Sequence, residues 1–110
     1  MAKATLGGVE IEVDDDGFIQ EPDKWTRDVA EDLGKLEAAY EPGQDKMGED
    51  HWKVVDYLRN YFIEFGIAPP IRMVVKKSGV DLKKIYELFP KGPAAGGCKV
   101  AGLPKPTGCV

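Results

Sequence analysis

The sequence predicts a mainly α-helical protein: a small orthogonal helical bundle with a helix–turn–helix-like core, an N-terminal β-hairpin and a mobile C-terminal arm. Three observations predict this fold. Apolar residues recur at helical spacing through the middle of the chain, apolar and acidic residues alternate near the N-terminus, and residues 91–110 are rich in glycine and proline. At 110 residues, the chain is long enough for one domain with a single core and too short for two.

The β-hairpin is predicted at residues 9–20. In "VEIEVDDDGFIQ", three apolar residues alternate with two glutamates before a turn at Asp16-Gly17, which leads into Phe18-Ile19. Two strands alone are too few to be stable in water. We therefore expect the apolar face of the hairpin to lie against helices.

The first two helices belong to a predicted helical core at residues 26–90. Thr26 is a good N-cap for helix one, which should run to about Tyr40, and the Pro- and Gly-containing segment 41–48 is predicted to be a loop. The segment "EDHWKVVDYLRNYFIEFG" predicts helix two, ending at Gly66. Its apolar positions form one wide face made of Trp52, Val55, Leu58, Phe62 and Phe65.

Three shorter helices are predicted to follow. Pro69-Pro70 open helix three, from Ile71 to Lys77, and Asp81 caps helix four, "LKKIYELF"; the pair has helix–turn–helix spacing. A fifth helix starting at Pro93 should be marginal, because Gly96 and Gly97 each cost about 1 kcal/mol relative to alanine. The marginal helix and a flexible cysteine arm together make up residues 91–110.

The net charge of -4 is unevenly distributed. Residues 66–110 hold eight Lys/Arg against two Asp/Glu, a balance of +6, and the rest of the chain holds seven against 17, a balance of -10. Such asymmetry either steers a charged partner or solvates two faces, and the sequence leaves both interpretations open. The N-terminus lacks the apolar run of a secretory signal and no segment approaches the roughly 20 apolar residues of a membrane span, so we expect a cytoplasmic protein.

Two motifs are weighed against simpler interpretations. Lys83 and Lys84 lie on the first turn of the helix that would enter a DNA groove, yet two cations in an acidic protein are a weak footprint. A DNA-binding regulator is therefore the least favoured alternative function, and nucleic acid is not an expected partner. His51, the only histidine, has no metal-ligand spacing with the distant cysteines and is predicted to be a surface or helix-start residue. No metal and no cofactor are predicted.

The only thiols, Cys98 and Cys109, both lie in the last 13 residues. A disulfide between them would close only the terminal arm, so it would add little to the stability of the core. The ten intervening residues span at most about 36 Å when extended and can also fold back. A frayed terminus with a stray thiol is the simpler interpretation.

A functional interpretation explains more of the arm. A thiol on a slim tip can enter a narrow channel in another protein, and the nearby Lys99 and Lys105 are expected to favour its thiolate. Cys98 can then resolve whatever Cys109 carries by thiolate attack. The pair therefore indicates a redox or sulfur-carrying arm.

The segment "YELFPKGPAAGGCKVAGLPKPTGCV", preceded by "HWKVVDYLRNYFIEFGIAPPIRMVVKKSG", resembles the DsrC/TusE family, whose members include the gamma subunit of dissimilatory sulfite reductase. The stretch "VDDDGFI" with the following Trp25 resembles the start of the family, so the likeness covers nearly the whole chain. It implies a small helical fold with a helix–turn–helix-like core, an N-terminal hairpin and a mobile arm. It also implies a protein that relays sulfur rather than a stand-alone enzyme.

The resemblance also implies roles for the two cysteines. Cys109 matches the penultimate cysteine that enters the reductase channel toward the sirohaem, and Cys98 matches the second arm cysteine. Sulfur from sulfite would end as a trisulfide between them, and a membrane-associated thiol/trisulfide reductase complex would release it as sulfide. The related relay proteins of tRNA 2-thiouridine synthesis, which exchange persulfide with sulfurtransferases, typically use the penultimate cysteine alone; that relay is the alternative.

The basic half of the chain is expected to dock the arm's face on an acidic partner. High salt would weaken such a complex. The residues expected to make these contacts are Arg72, Lys76, Lys91, Lys99 and Lys105.

Overall fold

The computed structural model describes residues 2–106, which form a two-stranded antiparallel sheet and five helices. The mainly helical fold with an N-terminal hairpin is therefore confirmed, while the predicted mobile tip of the arm lies outside the described residues. A 3-10 turn at Pro22–Lys24 precedes the first helix, and a π-helical turn at Pro93–Gly97 leads into the last. The elements are β1 (Ala2–Leu6), β2 (Val9–Val13), α1 (Arg27–Glu37), α2 (Glu49–Phe65), α3 (Ile71–Ser78), α4 (Leu82–Leu88) and α5 (Cys98–Val100).

The hairpin lies nearer the N-terminus than predicted. Strand β1 pairs with β2 through a turn at Gly7-Gly8, where both residues have positive φ, so the segment expected to be the first strand is the second. The predicted turn near Gly17 exists, but the chain beyond it returns to β2 through a single bridge between Val13 and Ile19. The prediction of a hairpin at residues 9–20 is corrected to 2–13.

Helices α1 and α2 begin and end close to the predicted residues. Thr26 caps α1, since its hydroxyl accepts a hydrogen bond from the Val29 N–H at 3.2 Å. Helix α2 ends where Gly66 takes a left-handed conformation. Phe65, however, is 56% exposed although its spacing predicts a buried position, because α2 extends past the core in its last turn.

Helices α3 and α4 form the predicted helix–turn–helix pair. Asp81 caps α4 by accepting a hydrogen bond from the Lys84 N–H at 2.8 Å. One side of the pair faces the core through Val74, Ile85 and Leu88. Each such burial contributes about 1.5–3 kcal/mol relative to an exposed side chain.

Residues 93–103, predicted to belong to a marginal helix and a flexible arm, are instead packed into the core. Most of this segment is buried: α5 packs against α1 and α2, and the Cys98, Val100 and Leu103 side chains are inaccessible to solvent. Glycine propensity is overridden here because the small residues allow the backbone to approach the other helices closely. The chain leaves the core only after Leu103.

Candidate functional site

Cys98 is a free thiol at the first residue of α5, and it is completely buried. Burial raises its pKa to about 12, because an apolar surrounding disfavours the thiolate. The expectation that Lys99 and Lys105 favour a thiolate concerns Cys109 rather than Cys98. Cys109 lies outside the described residues.

The backbone that follows Cys98 is held in a closed helix-ending motif. The Leu103 N–H donates to the Cys98 carbonyl at 3.0 Å, and the Gly102 N–H donates to the Lys99 carbonyl at 3.1 Å. Gly102 has φ +76°, and a Cβ there would clash with the Trp25 ring. This position therefore requires glycine both for its backbone conformation and for its packing.

Two side chains from outside the segment hold the same turn, which we call the clamped turn (residues 98–103). The Trp25 indole N–H donates to the Val100 carbonyl at 2.9 Å. The Arg59 guanidinium, which lies over the Trp25 ring, donates to the Ala101 and Gly102 carbonyls at 3.4 and 3.3 Å and to the Pro22 carbonyl at 2.7 Å. Arg59 and Trp25 are not among the predicted site residues.

A buried carboxylate holds the segment on its other side. Glu37, at the end of α1, forms ion pairs with Lys91 at 3.3 Å and with Lys99 at 3.6 Å. These two lysines flank the π-helical turn, one before it and one after it. Lys99 is itself mostly buried and lies near the Phe18 ring. Its ammonium group therefore makes contacts within the domain and is little exposed to a partner.

Lys105 forms an ion pair with Asp16 at 2.6 Å. The pair lowers the pKa of Asp16 and raises the pKa of Lys105, as expected for opposite charges that share a hydrogen bond. A cavity of about 570 Å³ lies beside it, and its lining includes Lys91, Lys99 and Lys105. The structure therefore brings three of the five predicted docking residues together, each already paired with a carboxylate.

The other two predicted docking residues, Arg72 and Lys76, lie on α3 and do not line this cavity. Within residues 2–106, neither forms an ion pair, and the same holds for Lys77, Lys83 and Lys84. We call these five residues the α3–α4 basic surface. Among the described residues, its cations have no carboxylate partner and can therefore bind an acidic partner protein.

His51 lies in the first turn of α2, as predicted for a helix-start residue, but its side chain is buried rather than at the surface. Its Nδ1 accepts a hydrogen bond from the Gly48 N–H at 3.0 Å, and its Nε2 faces the Ala39 carbonyl at 2.9 Å. Burial lowers its pKa, so the neutral ring links the start of α2 to the loop after α1. In the part of the chain that the structure describes, no cluster of His, Cys, Asp and Glu could hold a metal.

The residues that sequence reasoning missed, Trp25, Arg59 and Glu37, act on the turn from distant parts of the chain. The sequence marks Trp25 only as a helix-flanking aromatic residue, and nothing local marks Arg59 on the polar side of α2.

Among residues 2–106, no helix has the length and apolarity required to cross a membrane.

Comparisons with known proteins identify the family. A family model described as "DsrC like protein" matches residues 5–110. The chain is 46% identical to the dissimilatory-type sulfite reductase subunit gamma of Nitratidesulfovibrio vulgaris over the full length of both proteins. It is 37% identical to the sulfurtransferase TusE of Escherichia coli over 94% of this chain and 95% of that protein.

A solved structure agrees with the fold described above. The oxidized gamma subunit of the dissimilatory sulfite reductase (DsrC) from Archaeoglobus fulgidus superimposes with a TM-score of 0.80 and 44% identity, over 99% of this chain and 100% of that one. The chain belongs to the DsrC-like family.

Proposed function

We propose that this protein is a sulfur carrier of dissimilatory sulfur metabolism, and that it holds sulfur on Cys109 and then as a trisulfide between Cys109 and Cys98. The observation that carries the proposal is the 46% full-length identity with a sulfite reductase gamma subunit, in a chain whose only thiols are these two. The protein would act as a co-substrate of the reductase rather than as a stand-alone enzyme.

The electron balance defines what each participant contributes. The sulfur of sulfite must gain four electrons to become the zero-valent central atom of a trisulfide. Oxidation of the Cys98 and Cys109 thiols supplies two of them, the reductase supplies two more, and the three oxygens leave as water. A membrane-associated thiol/trisulfide reductase then supplies four electrons and four protons, which restores both thiols and releases hydrogen sulfide.

The order of the two thiols follows from reactivity. A thiol must ionise before it attacks sulfur, and a buried Cys98 with a pKa of about 12 is almost entirely protonated at neutral pH. Cys109 is therefore assigned the first sulfur transfer and Cys98 the closing step. In the closing step, the Cys98 thiolate attacks the sulfur bound to Cys109 and displaces its last oxygen as hydroxide, which leaves as water.

Intact mass spectrometry tests this function. The reduced protein is incubated with sulfite, an electron donor and a dissimilatory sulfite reductase, beside Cys98→Ala and Cys109→Ala. We expect the wild type to gain one sulfur atom and lose two hydrogens, and both variants to lack this bridged species. An unchanged wild-type mass under conditions in which the reductase turns over would refute the proposal.

The persulfide relay of tRNA 2-thiouridine synthesis is the alternative, and the 37% identity with a TusE sulfurtransferase favours it. In such a relay, sulfurtransferases would supply a persulfide to Cys109 and Cys98 would be dispensable. Sulfur turnover with the reductase distinguishes the two functions: full turnover by Cys98→Ser would exclude the two-thiol mechanism. No sulfur gain with the reductase, together with loading of Cys109 by a persulfide donor, would support the relay.

We further propose that basic residues dock the protein on an acidic surface of the reductase. The predicted set is Arg72, Lys76, Lys91, Lys99 and Lys105. Arg72 and Lys76 should contribute most, since the other three already have carboxylate partners. Because exposed charges are screened by salt, affinity should fall as ionic strength rises.

A paired substitution tests the docking proposal. Arg72→Ala with Lys76→Ala should weaken binding to the reductase and reduce its salt dependence. The matched control is Lys24→Ala with Lys53→Ala, which removes two lysines that already sit in ion pairs. Equal effects of the two pairs, or affinity that is independent of salt, would contradict it.

A further inference from the structure

We infer that Arg59, together with Trp25, is a positioning residue that keeps Cys98 covered, and that Cys98 becomes reactive by local opening of the clamped turn rather than by unfolding of the domain. The inference rests on the proposed function, in which a completely buried thiol must meet sulfur carried by Cys109. It concerns how that thiol is reached.

The hydrogen bonds of the clamped turn divide into two groups. The Cys98 and Lys99 carbonyls are satisfied within the turn, by the N–H groups of Leu103 and Gly102. Within the described chain, the next three carbonyls, those of residues 100–102, accept from only two side chains, Trp25 and Arg59. Loss of these two donors would leave consecutive carbonyls in a buried segment without partners, a state that favours an open turn exposed to water.

The distances indicate which bonds yield first. Arg59 holds the Pro22 carbonyl at 2.7 Å, whereas its bonds to Ala101 and Gly102 measure 3.3–3.4 Å, beyond the usual range for N–H···O bonds. Arg59 can therefore stay anchored to the segment before α1 while the turn separates from it. The turn also lies next to the point where the chain leaves the core, so little other structure must move.

Opening would change the chemistry of Cys98 directly. The closed thiol has a pKa of about 12 because of burial, and contact with water returns it toward its ordinary value. The thiolate fraction at neutral pH then rises by orders of magnitude. The clamped turn thus limits reactivity at Cys98 until it opens.

Thiol labelling under native conditions tests the inference. Iodoacetamide labelling of Cys98 is followed in the full chain carrying Cys109→Ser, at urea concentrations below the unfolding transition. We expect Arg59→Lys to raise the labelling rate by about fivefold. A lysine lacks the planar guanidinium that donates both to the Pro22 carbonyl and to the carbonyls of the clamped turn. The rate should depend only weakly on urea, because a local opening exposes little surface.

The matched control is Arg27→Lys. Arg27 also lies over an indole, that of Trp52 at 3.7 Å, and pairs with Asp56, and among the described residues it makes no hydrogen bond to the clamped turn. Its substitution should leave Cys98 labelling unchanged. Trp25→Phe provides a second variant that removes one donor from the turn, in case Arg59→Lys folds poorly, and it should also accelerate labelling.

Two outcomes would overturn the inference. One is a labelling rate with the full urea dependence of global unfolding in every variant. The other is an increase in the Cys98 labelling rate of Arg59→Lys that is no larger than the increase expected from its lower free energy of global unfolding. Labelling requires no sulfur donor and no reductase, so a failure of sulfur loading with the expected labelling pattern would remove the proposed function and leave the local opening established.

Discussion

The last turn of α2 and residues 93–103 have opposite relations to solvent. The end of α2 carries large apolar side chains, yet Ile63 and Phe65 are 67% and 56% exposed. Residues 93–103 are rich in small residues, yet most of them are buried, and Cys98 and Leu103 are fully inaccessible. The difference teaches that contacts from distant residues, rather than side-chain size or helix propensity, decide which segment enters this core.

The two segments differ in what holds them. The end of α2 is stabilised by its own helical hydrogen bonds and by a tilted contact between the Tyr61 and Phe65 rings, whose centroids lie 4.5 Å apart. The clamped turn depends on Trp25, Arg59 and a glycine with positive φ. Substitutions in the second region should therefore cost much more than substitutions in the first.

The largest effect is expected from Gly102→Ala. Alanine there combines a left-handed backbone with a Cβ that clashes with the Trp25 ring, so the free energy of unfolding should fall by about 3 kcal/mol. Urea denaturation measures this loss. Gly43→Ala is the control, since Gly43 also has positive φ, but a Cβ added there would have no described atom within 4 Å. Equal losses in the two variants would mean that packing against Trp25 contributes nothing.

A second prediction concerns pH. The raised pKa of Cys98 means that the folded protein keeps a proton which the unfolded chain releases above pH 9, so unfolding becomes easier as pH rises from about 9 toward 12. Between pH 9 and 11, the Cys109→Ser protein should lose about 2 kcal/mol more stability than the same protein carrying Cys98→Ala. Parallel pH profiles from denaturant titrations would show that the Cys98 thiol is not protected from ionisation.

A smaller effect is expected from Trp25→Phe. The substitution leaves the buried Val100 carbonyl without its indole donor, which should cost about 1–2 kcal/mol in the free energy of unfolding. Trp52→Phe is the control, because within the described residues its indole N–H has no hydrogen-bond acceptor. A thermal or urea denaturation series in which Trp52→Phe is the more damaging change would contradict this account.

The smallest effect is expected at the end of α2. Phe65→Ser should alter the free energy of unfolding by less than about 0.5 kcal/mol, because the side chain is already largely in water. Leu58→Ala, on the same helix and fully buried, should cost about 2–5 kcal/mol. If the two variants had similar denaturation midpoints, the exposed position of Phe65 in solution would be in doubt.

Local sequence signals predicted the helices well. Thr26, Gly66 and Asp81 mark helix ends through interactions with residues a few positions away, so their roles can be read from the sequence. The burial of Cys98 depends instead on Trp25 and Arg59, which are 75 and 42–43 positions from the carbonyls that they bind. Contacts of that kind leave no periodic pattern.

The candidate site was predicted in part. Composition and placement selected Cys98, and charge selected a set of basic residues. Neither could reveal that Lys91 and Lys99 share the carboxylate of Glu37, or that Lys105 pairs with Asp16. These pairs leave Arg72 and Lys76 as the members of that set without an ion pair inside residues 2–106. For the same reason, the burial of His51 could not be predicted, since its partner is the Ala39 carbonyl in another segment.

The burial of Leu103 also sets the length of the tether that carries Cys109. While the clamped turn is closed, Leu103 is the last buried residue that the structure describes, and the six residues from Pro104 to Cys109 span at most about 21 Å, less than the roughly 36 Å counted from Cys98. While Lys105 stays paired with Asp16, four residues remain, with a reach of about 14 Å. If Cys109 carries sulfur to a partner as proposed, the partner's catalytic centre has to lie within that reach of the surface on which this domain docks. A deeper centre would require a longer tether, however tightly the domain binds.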